Sequence, residues 1–248
     1  MIEDIENIEL KYLTIHDYQE LKSAMIEAYS SMPDSYWKEE HIKALIDKFP
    51  EGQVVLKVNN QLAGCALSIR LENSAYTDHH TYKEITGNYT FNTHNKEGDM
   101  LYGIDVFIKS EFRGLRLGRR LYDYRKELCE RLNLRGIAFG GRIPNFHNYS
   151  KEIGPKEYIE KVKRKEIHDQ VLSFQIANDF HPEKVLKGYL EGDDASNEYA
   201  VLLKWDNIYF EKKTIKAASQ KKIIRLGLIQ WQMRPYKDFE ELMQQAEY

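Results

Sequence analysis

The sequence predicts a mixed α/β (α+β) fold, because strand-like and helix-like segments follow one another along most of the chain. Apolar runs of strand length are separated by segments with helical spacing, and Asn59-Asn60 between two such runs predicts a β-hairpin. The apolar run 101–108 leads through a basic, glycine-containing turn directly into a helix. These observations favour a mixed sheet flanked by helices.

Periodicity, with Pro, Gly and Asn as end signals, defines the elements of the first half of the chain. They are a strand at 8–14, a helix from Asp17 to about Ser30, a helix at 35–48, and hairpin strands at 53–58 and 61–70. The stretch 72–98 is long for a loop and is therefore either a functional lid or an ordered insertion. Its aromatic residues are expected to form a small core of their own: Tyr76, Tyr82, Tyr89 and Phe91.

The second half continues with a strand at 101–108 and a helix at 117–132. The leucines of this helix share one side, and its basic residues, Arg125 among them, are expected to face solvent. The remaining elements are a short buried strand at 136–140, helices at 155–164 and 169–178, and closing strands at 184–189 and 199–205. Residues 1–210 are thus predicted to form one domain. A charged linker at 211–222 leads to a strand-helix fragment at 223–248.

Composition excludes several functional classes. A net charge of −3 gives no general attraction to nucleic acid or membrane, so neither is expected as a partner. Cys65 and Cys129 cannot form a disulfide framework, and no spacing of His, Cys and carboxylates completes a metal site, although His79, His80, His94 and His147 lie in loops. With no signal peptide or long apolar run, a soluble cytoplasmic protein is expected.

The turn at 113–118 has the features of an anion site. Free N–H groups at a helix start favour a phosphate or pyrophosphate, and Gly114 and Gly118 let the main chain approach it closely. Four arginines add positive charge around the same turn: Arg113, Arg116, Arg119 and Arg120.

This strand, turn and helix resemble the acyl-CoA-binding core of the GNAT N-acetyltransferases. Arg113 and Gly118 match the two ends of the family turn Gln/Arg-x-x-Gly-x-Gly/Ala, whereas Arg116 occupies its central glycine position. Arg116 is therefore expected either to adopt a backbone conformation open to ordinary residues or to shift the loop slightly. The resemblance covers residues 8–205 and implies a strongly twisted mixed sheet with a splayed central strand pair.

The resemblance also implies where acetyl-CoA binds, without a metal. The diphosphate would contact the turn and the first helical residues, and the pantetheine arm would pair with the signature strand. The residues implied for this co-substrate are Val106, Phe107, Ile108, Arg113, Gly114, Leu115, Arg116, Leu117, Gly118, Arg119 and Asn145. A main-chain N–H near Val106 or Phe107 would polarise the thioester carbonyl. For Asn145, an ordinary turn role is equally expected.

Direct transfer to an amine requires a base, and the departing thiolate needs a proton donor. Asp105, expected to alternate in facing with Ile104 and Val106, is the candidate base, with a solvated or salt-bridged aspartate as the competing interpretation. Asp99 and Tyr102 are weaker candidates. The usual family tyrosine falls at Gln175, so Tyr149, Tyr158 or solvent is left as the proton donor.

The acceptor is an amine whose identity the sequence does not specify. Arg142 is the candidate for binding an acceptor carboxylate, unless it pairs with an acidic residue, and His147 and Tyr102 are further candidate contacts. Long inserts at 72–98 and 142–168 favour a walled pocket and hence a small molecule. A homodimer is left open.

More specifically, segments 102–106, 114–118, 140–144 and 173–178 resemble the GNAT module of bacterial proteins that join it to a carbon–nitrogen hydrolase (nitrilase-like) module. Residues 223–231 resemble the first strand of that hydrolase. Both cysteines lie upstream of the linker, so the fragment should be inert as a hydrolase. The predicted function is N-acetyl transfer from acetyl-CoA to a primary amine. The alternatives are a catalytically impaired acyl-CoA sensor and, less favoured by the acidic balance, a nucleotide- or nucleic-acid-binding module.

Overall fold

A computed structural model describes residues 5–29, 36–76 and 78–212, and within these ranges seven strands form one sheet. The strands are β1 (Ile8–Tyr12), β2 (Gln53–Val58), β3 (Gln61–Leu71), β4 (Met100–Ile108), β5 (Gly136–Arg142), β6 (His181–Leu186) and β7 (Ala200–Asp206). The helices are α1 (Tyr18–Ala28), α2 (Glu39–Lys48), α3 (Tyr82–Ile85), α4 (Leu117–Arg131), α5 (Pro155–Lys163) and α6 (Gln170–Ile176).

The strands are ordered β1-β2-β3-β4-β5-β7-β6, and β4–β5 is a parallel pair among antiparallel neighbours. The expected mixed sheet flanked by helices is confirmed. The element boundaries differ from the predictions by a few residues, most at β6, which starts at His181 because Pro182 and Glu183 continue the ladder around a bulge. The predicted helix ends at Ser30 and Ser35, and the fragment 223–248, lie outside the described residues.

Side chains alternate in direction along the strands and therefore contribute to two apolar layers, one on each face of the sheet. Val55 faces α1 and α2, whereas its neighbours Val54 and Leu56 face the first turns of α4. A third cluster packs α4, α5 and α6 against β5 and β7. The sheet is therefore covered on both faces, and its centre is buried. No helix among the described residues has the length and apolarity needed to cross a bilayer.

The central strands separate after a short stretch of pairing. β4 and β5 pair only where Met100–Tyr102 meet Gly136–Ala138, although β4 continues to Ile108 and β5 to Arg142. On their other edges β4 follows β3 and β5 follows β7 throughout, so each strand is held while the gap between them opens. The splayed strand pair is thus present.

Candidate active site

The gap between β4 and β5 opens into a cavity of about 600 Å³. We call it the cleft cavity. Seven of its lining side chains are Tyr, Trp or Phe rings: Tyr29, Tyr36, Trp37, Tyr82, Tyr89, Phe139 and Tyr189. The charged residues of the lining are Lys38, Asp105, Arg125, Arg142 and Glu191. Volume and composition both suit a small-molecule site.

The Asp105 carboxylate lies in the wall of the cleft cavity among aromatic groups. The Tyr29 hydroxyl donates to its Oδ1, and Trp37 Nε1 donates to its Oδ2 at 3.1 Å. Burial raises the pKa of Asp105 above its ordinary value, although these two hydrogen bonds and the Arg125 charge act in the opposite direction. Asp105 is thus a buried carboxylate with a raised proton affinity in the wall of the cleft cavity.

Asp105 faces the cavity because β4 is bulged. On β3, Leu67 pairs with Asp105 and Ser68 pairs with Gly103, so Ile104 is an extra residue on β4. The bulge interrupts the alternation expected for Asp105, and Ile104 and Phe107 lie in the same apolar cluster as Trp37. The Tyr82 hydroxyl donates to the Ile104 carbonyl at 2.9 Å.

Arg125 is buried, contrary to the expectation of a solvated face. Its Nη2 donates to the carbonyls of Asp105 and Leu67 at 2.5 and 2.7 Å, and its Nε donates to Ser68 Oγ at 3.1 Å. Burial lowers the pKa of Arg125, whereas nearby Asp105 raises it. The sequence contained a signal for this position, since Arg125 lies four residues after Leu121 and three before Leu128 on the buried side of α4.

The turn before α4 presents main-chain donors. None of the N–H groups of residues 114–118 donates to another described residue. Gly114 has φ +86° and Arg116 has φ +58° and ψ +19°. Arg116 thus adopts the left-handed conformation rather than one open to ordinary residues, although it carries a Cβ.

Gly118 and the arginines complete the entrance to the turn. A Cβ on Gly118 would lie 2.8 Å from the Phe174 ring, so glycine lets α6 approach the first turn of α4. The side chains of Arg113, Arg116 and Arg119 are exposed. The turn is therefore open, basic and rich in free donors, as an anion site requires.

The unpaired edge of β4 offers two further donors. Lys109 N–H donates to Ala63 at 2.9 Å on the β3 side, so strand alternation turns the N–H groups of Ile108 and Val106 toward the gap. Phe107 N–H faces β3 by the same argument, and its side chain packs in the core. Of the N–H groups of Val106 and Phe107, that of Val106 lies on the side of the gap, where it also interacts with the Asp105 carboxylate.

Tyr149 and Tyr158 do not line the cleft cavity. Tyr158 is buried, its hydroxyl donates to Asp169 at 2.7 Å, and its ring packs against Tyr149. Burial and the Asp169 hydrogen bond raise the pKa of Tyr158. Tyr158 belongs to α5 and to the apolar cluster between α5 and the sheet, and Tyr149 packs against that cluster. The geometry therefore does not support either tyrosine as the proton donor.

Asn145 and His147 also lie away from the cavity lining. Asn145 donates to the His168 carbonyl at 2.9 Å and accepts from Asn148, and thus holds its own loop. His147 Nδ1 lies 2.8 Å from the Pro144 carbonyl. For Asn145, the turn role is the one the geometry supports.

Arg142 lines the cavity but has an internal partner. Its guanidinium forms a two-point ion pair with Asp193, which is buried. Burial lowers the pKa of Arg142, whereas Asp193 raises it, and the net pKa lies above the ordinary value. The paired interpretation of Arg142 is therefore the one that the geometry supports.

Sequence reasoning missed the residues that converge on the cavity from distant segments. Tyr189 lies far from Tyr29 and Trp37 along the chain, and no spacing rule connects the three. Tyr82 and Tyr89 pack on the main core and line the cavity instead of forming a separate core. Tyr102 is buried next to Tyr189, which separates it from the lining. Within the described residues, no group of three or more His, Cys, Asp or Glu is placed to hold a metal ion.

Solved structures of low sequence identity share this fold. The loading GNATL domain of CurA from Lyngbya majuscula has a TM-score of 0.72 and 23% identity, covering 81% of this chain and 98% of that domain. The GphF GNAT-like decarboxylase in complex with isobutyryl-CoA has a TM-score of 0.66 and 15% identity, covering 80% of this chain and 98% of its own. At these identities the likeness concerns the fold.

Two proteins of Bacillus subtilis (strain 168) are similar in sequence. One, described as probable hydrolase YhcX, is 38% identical over 213 residues, which is 86% of this chain and 42% of that protein. The chain therefore spans about two fifths of that relative. The other, described as uncharacterized N-acetyltransferase YkwB, is 27% identical over 221 residues, covering 82% of this chain and 97% of that protein.

The family comparison covers the splayed strands and the turn together. The profile of the acetyltransferase (GNAT) family matches residues 18–150, more than half of the chain. That span contains the β4 bulge, the basic turn and α4. The chain belongs to the acetyltransferase (GNAT) family.

Proposed function

We propose that the protein transfers an acetyl group from acetyl-CoA to the primary amine of a small molecule by direct attack. The observation that carries the proposal is the position of the Asp105 carboxylate in the cleft cavity, which opens where β4 and β5 part. The same gap leaves the β4 edge free beside the turn at 113–118. In this proposal, acetyl-CoA, the amine and the base thus have separate sites around one opening.

The donor site follows from main-chain groups. The N–H groups of 114–118 and the exposed Arg113, Arg116 and Arg119 offer hydrogen bonds and positive charge to a diphosphate. Val106 and Ile108 offer the unpaired strand edge to the amide-containing arm of the co-substrate. Leu115 and Leu117 flank the turn, and Leu117 anchors it in the core.

The acceptor site favours a compact amine that binds as a cation. Aromatic ring faces and a carboxylate together attract an ammonium group, and the Trp37 ring lies 6.0 Å from Tyr82 and 5.8 Å from Tyr89. Asp105 provides the negative charge at this wall. A cavity volume of about 600 Å³ suits a small molecule.

Asp105 is proposed as the group that binds the ammonium and takes its first proton. Its raised pKa brings it closer to that of an amine than an exposed aspartate would be. The freed lone pair then attacks the thioester carbonyl. Val106 N–H, which interacts with the Asp105 carboxylate until that group takes the proton, stabilises the charge that develops on oxygen. The carbon–nitrogen bond forms and the carbon–sulfur bond breaks.

A catalytically impaired acyl-CoA sensor is the second candidate, and Gln175 favours it. This residue lines the cleft cavity at the usual position of the family tyrosine, and its buried Oε1 has no partner among the described residues. An amide cannot donate a proton as an acid. Tight acetyl-CoA binding without turnover would identify the sensor.

We also propose that residues 211–222 are a linker and that 223–248 begin a carbon–nitrogen hydrolase module. The support is the sequence pattern and the similarity to a longer relative described as a probable hydrolase. Cys65 and Cys129 are free and buried within the GNAT domain, so neither is available as a hydrolase nucleophile. Free thiols also suit a reducing compartment such as the cytoplasm.

Thermal unfolding with acetyl-CoA tests the donor site. Acetyl-CoA should raise the melting temperature of the wild type, and Arg113→Glu should remove most of this shift because it reverses a charge at the diphosphate position. Arg164→Glu, at an exposed arginine next to α5, is the matched control and should retain the full shift. An unchanged shift in Arg113→Glu would contradict the site assignment. Thiol release across a panel of primary amines then separates the transferase from the sensor.

A further inference from the structure

Three side chains form a hydrogen-bonded chain that begins at the wall of the cleft cavity. Tyr189 lines the cavity, and its hydroxyl oxygen lies 3.0 Å from that of Tyr102. The Tyr102 oxygen lies 2.9 Å from His80 Nε2, and His80 Nδ1 lies 3.1 Å from the Asp78 carbonyl oxygen. The three side chains are buried, whereas Asp78 is exposed.

The Asp78 carbonyl fixes the direction of this chain. A carbonyl oxygen only accepts, so His80 Nδ1 carries the hydrogen and the Nε2 of a neutral imidazole accepts from Tyr102. The single hydroxyl hydrogen of Tyr102 is then engaged, and Tyr189 must donate to Tyr102. The Tyr189 oxygen also accepts from the main-chain N–H of Gly140, so one of its two lone pairs is left for a group in the cavity.

Protonation of His80 reverses the direction. An imidazolium donates from both nitrogens, so Nε2 donates to Tyr102 while Nδ1 still donates to Asp78. Tyr102 then donates to Tyr189, and the Tyr189 hydroxyl turns its hydrogen toward the cavity. The chain can thus accept a proton in one state and return it in the other.

We propose that Tyr189 is the catalytic residue that exchanges a proton with the reacting groups, and that Tyr102 and His80 are positioning residues that store that proton. This inference rests on the proposed acetyl transfer. It supplies the proton donor that Gln175 cannot provide. Tyr189 reaches the cavity from the connection after β6, a different element from the α6 position of Gln175.

The proton balance of the step is complete. After attack, the nitrogen carries one surplus proton, which passes to Tyr189 as Tyr189 passes its own to Tyr102 and Tyr102 passes its own to His80 Nε2. When the carbon–sulfur bond breaks, the electron pair stays on sulfur. Reverse transfer along the same three groups delivers one proton to that thiolate and restores neutral His80.

The surroundings of Tyr189, Tyr102 and His80 favour proton transfer that leaves neither tyrosine ionised. Burial raises the pKa of Tyr189 and of Tyr102, so both hydroxyls remain neutral between transfers. Burial lowers the pKa of His80, so its stored proton is readily returned. Around His80, Lys184 on β6 and the adjacent His79 disfavour its charged form, whereas Glu84 on α3 and the Asp78 carbonyl favour it.

The first test is a comparison of Tyr189→Phe and Tyr102→Phe with the wild type, using acetyl-CoA and the best amine of the panel. Each substitution removes one oxygen from the chain, so kcat should fall by about 100-fold or more while both KM values stay within about twofold. Tyr76→Phe is the matched control, because its ring packs against Tyr102 but its hydroxyl donates only to Asn73. Its kcat should be unchanged.

The second test uses the unaltered protein and so does not depend on the folding of a variant. In mixtures of light and heavy water, transfer of two or more protons in one step gives a curved dependence of kcat on deuterium fraction. A straight line, or a normal kcat in Tyr102→Phe, would overturn the relay and leave the acetyl transfer intact. Absence of turnover with every amine, despite acetyl-CoA binding, would overturn both.

Discussion

Arg125 donates from Nη2 to the main-chain carbonyl of Asp105 at 2.5 Å. The same guanidinium donates to the Leu67 carbonyl and to the Ser68 hydroxyl. These two residues lie on β3, directly opposite the bulge in β4. A buried cation therefore holds the irregular backbone that turns Asp105 toward the cavity, and it does so through neutral oxygens. Its charge also lowers the pKa of Asp105 against the effect of burial.

Arg125→Met should lower the free energy of unfolding by about 3 kcal/mol, because two buried carbonyls and a hydroxyl lose their donors. Arg120→Met, at an exposed position of the same helix, should change it by no more than about 0.5 kcal/mol. Urea denaturation of both variants without acetyl-CoA measures the difference. Equal, small effects would show that Arg125 does not hold the bulge.

Replacement of Arg116 by glycine or by valine should change the stability in the opposite order from the same replacements at a helical residue. At φ +58°, Arg116→Gly should be at least as stable as the wild type, whereas Arg116→Val should lose about 1 kcal/mol or more. At Arg120, inside α4, glycine should be the more destabilising of the two replacements. The four melting temperatures give the comparison, and the same order at both positions would contradict the left-handed turn.

Gly118→Ala should weaken acetyl-CoA binding by displacing Phe174. The added Cβ would lie 2.8 Å from the Phe174 ring, which is partly exposed and would move toward the neighbouring turn. Shortening that side chain in the double variant Gly118→Ala, Phe174→Leu should restore binding, since the contact is removed. Titration calorimetry with acetyl-CoA tests the pair. Binding as weak in the double variant as in Gly118→Ala would rule out the contact as the cause.

Asp105 should make stability depend on pH in a defined direction. Burial raises its pKa in the folded protein above the ordinary value of 3.8, so the folded state binds this proton more tightly than the unfolded chain. The contribution of Asp105 to the free energy of unfolding should therefore fall as pH rises from about 3.8 through the raised pKa. Asp105→Asn should lose this component, which urea denaturation across that pH interval can measure. Identical pH profiles would contradict the raised pKa.

Local patterns were sufficient for the fold and for the donor side of the site. Strand, glycine-containing turn and amphipathic helix are contiguous in the sequence, so the β4–α4 unit and its free N–H groups could be predicted from local patterns, whereas the splayed pair was implied only by the family resemblance. The acceptor side depends on contacts between distant segments. One inserted residue, Ile104, changes the facing of Asp105, and no alternation rule shows where a bulge falls.

The same limit explains the misassigned basic and aromatic residues. Arg125 was placed in solvent by its charge, although helical spacing put it among the leucines, because burial of a cation requires acceptors from β3 and β4 that the helix sequence does not contain. Trp37 and Tyr189 become site residues only when the segment before α2 and the β6–β7 connection meet at the cleft cavity.

The most direct test of the proposed transfer is the initial rate of thiol release from acetyl-CoA with a panel of small primary amines, for wild type and Asp105→Asn. We predict amine-dependent release by the wild type and a loss of about 100-fold or more in Asp105→Asn, with unchanged acetyl-CoA affinity. Equal rates in the two proteins, or no amine-dependent release by the wild type, would contradict it.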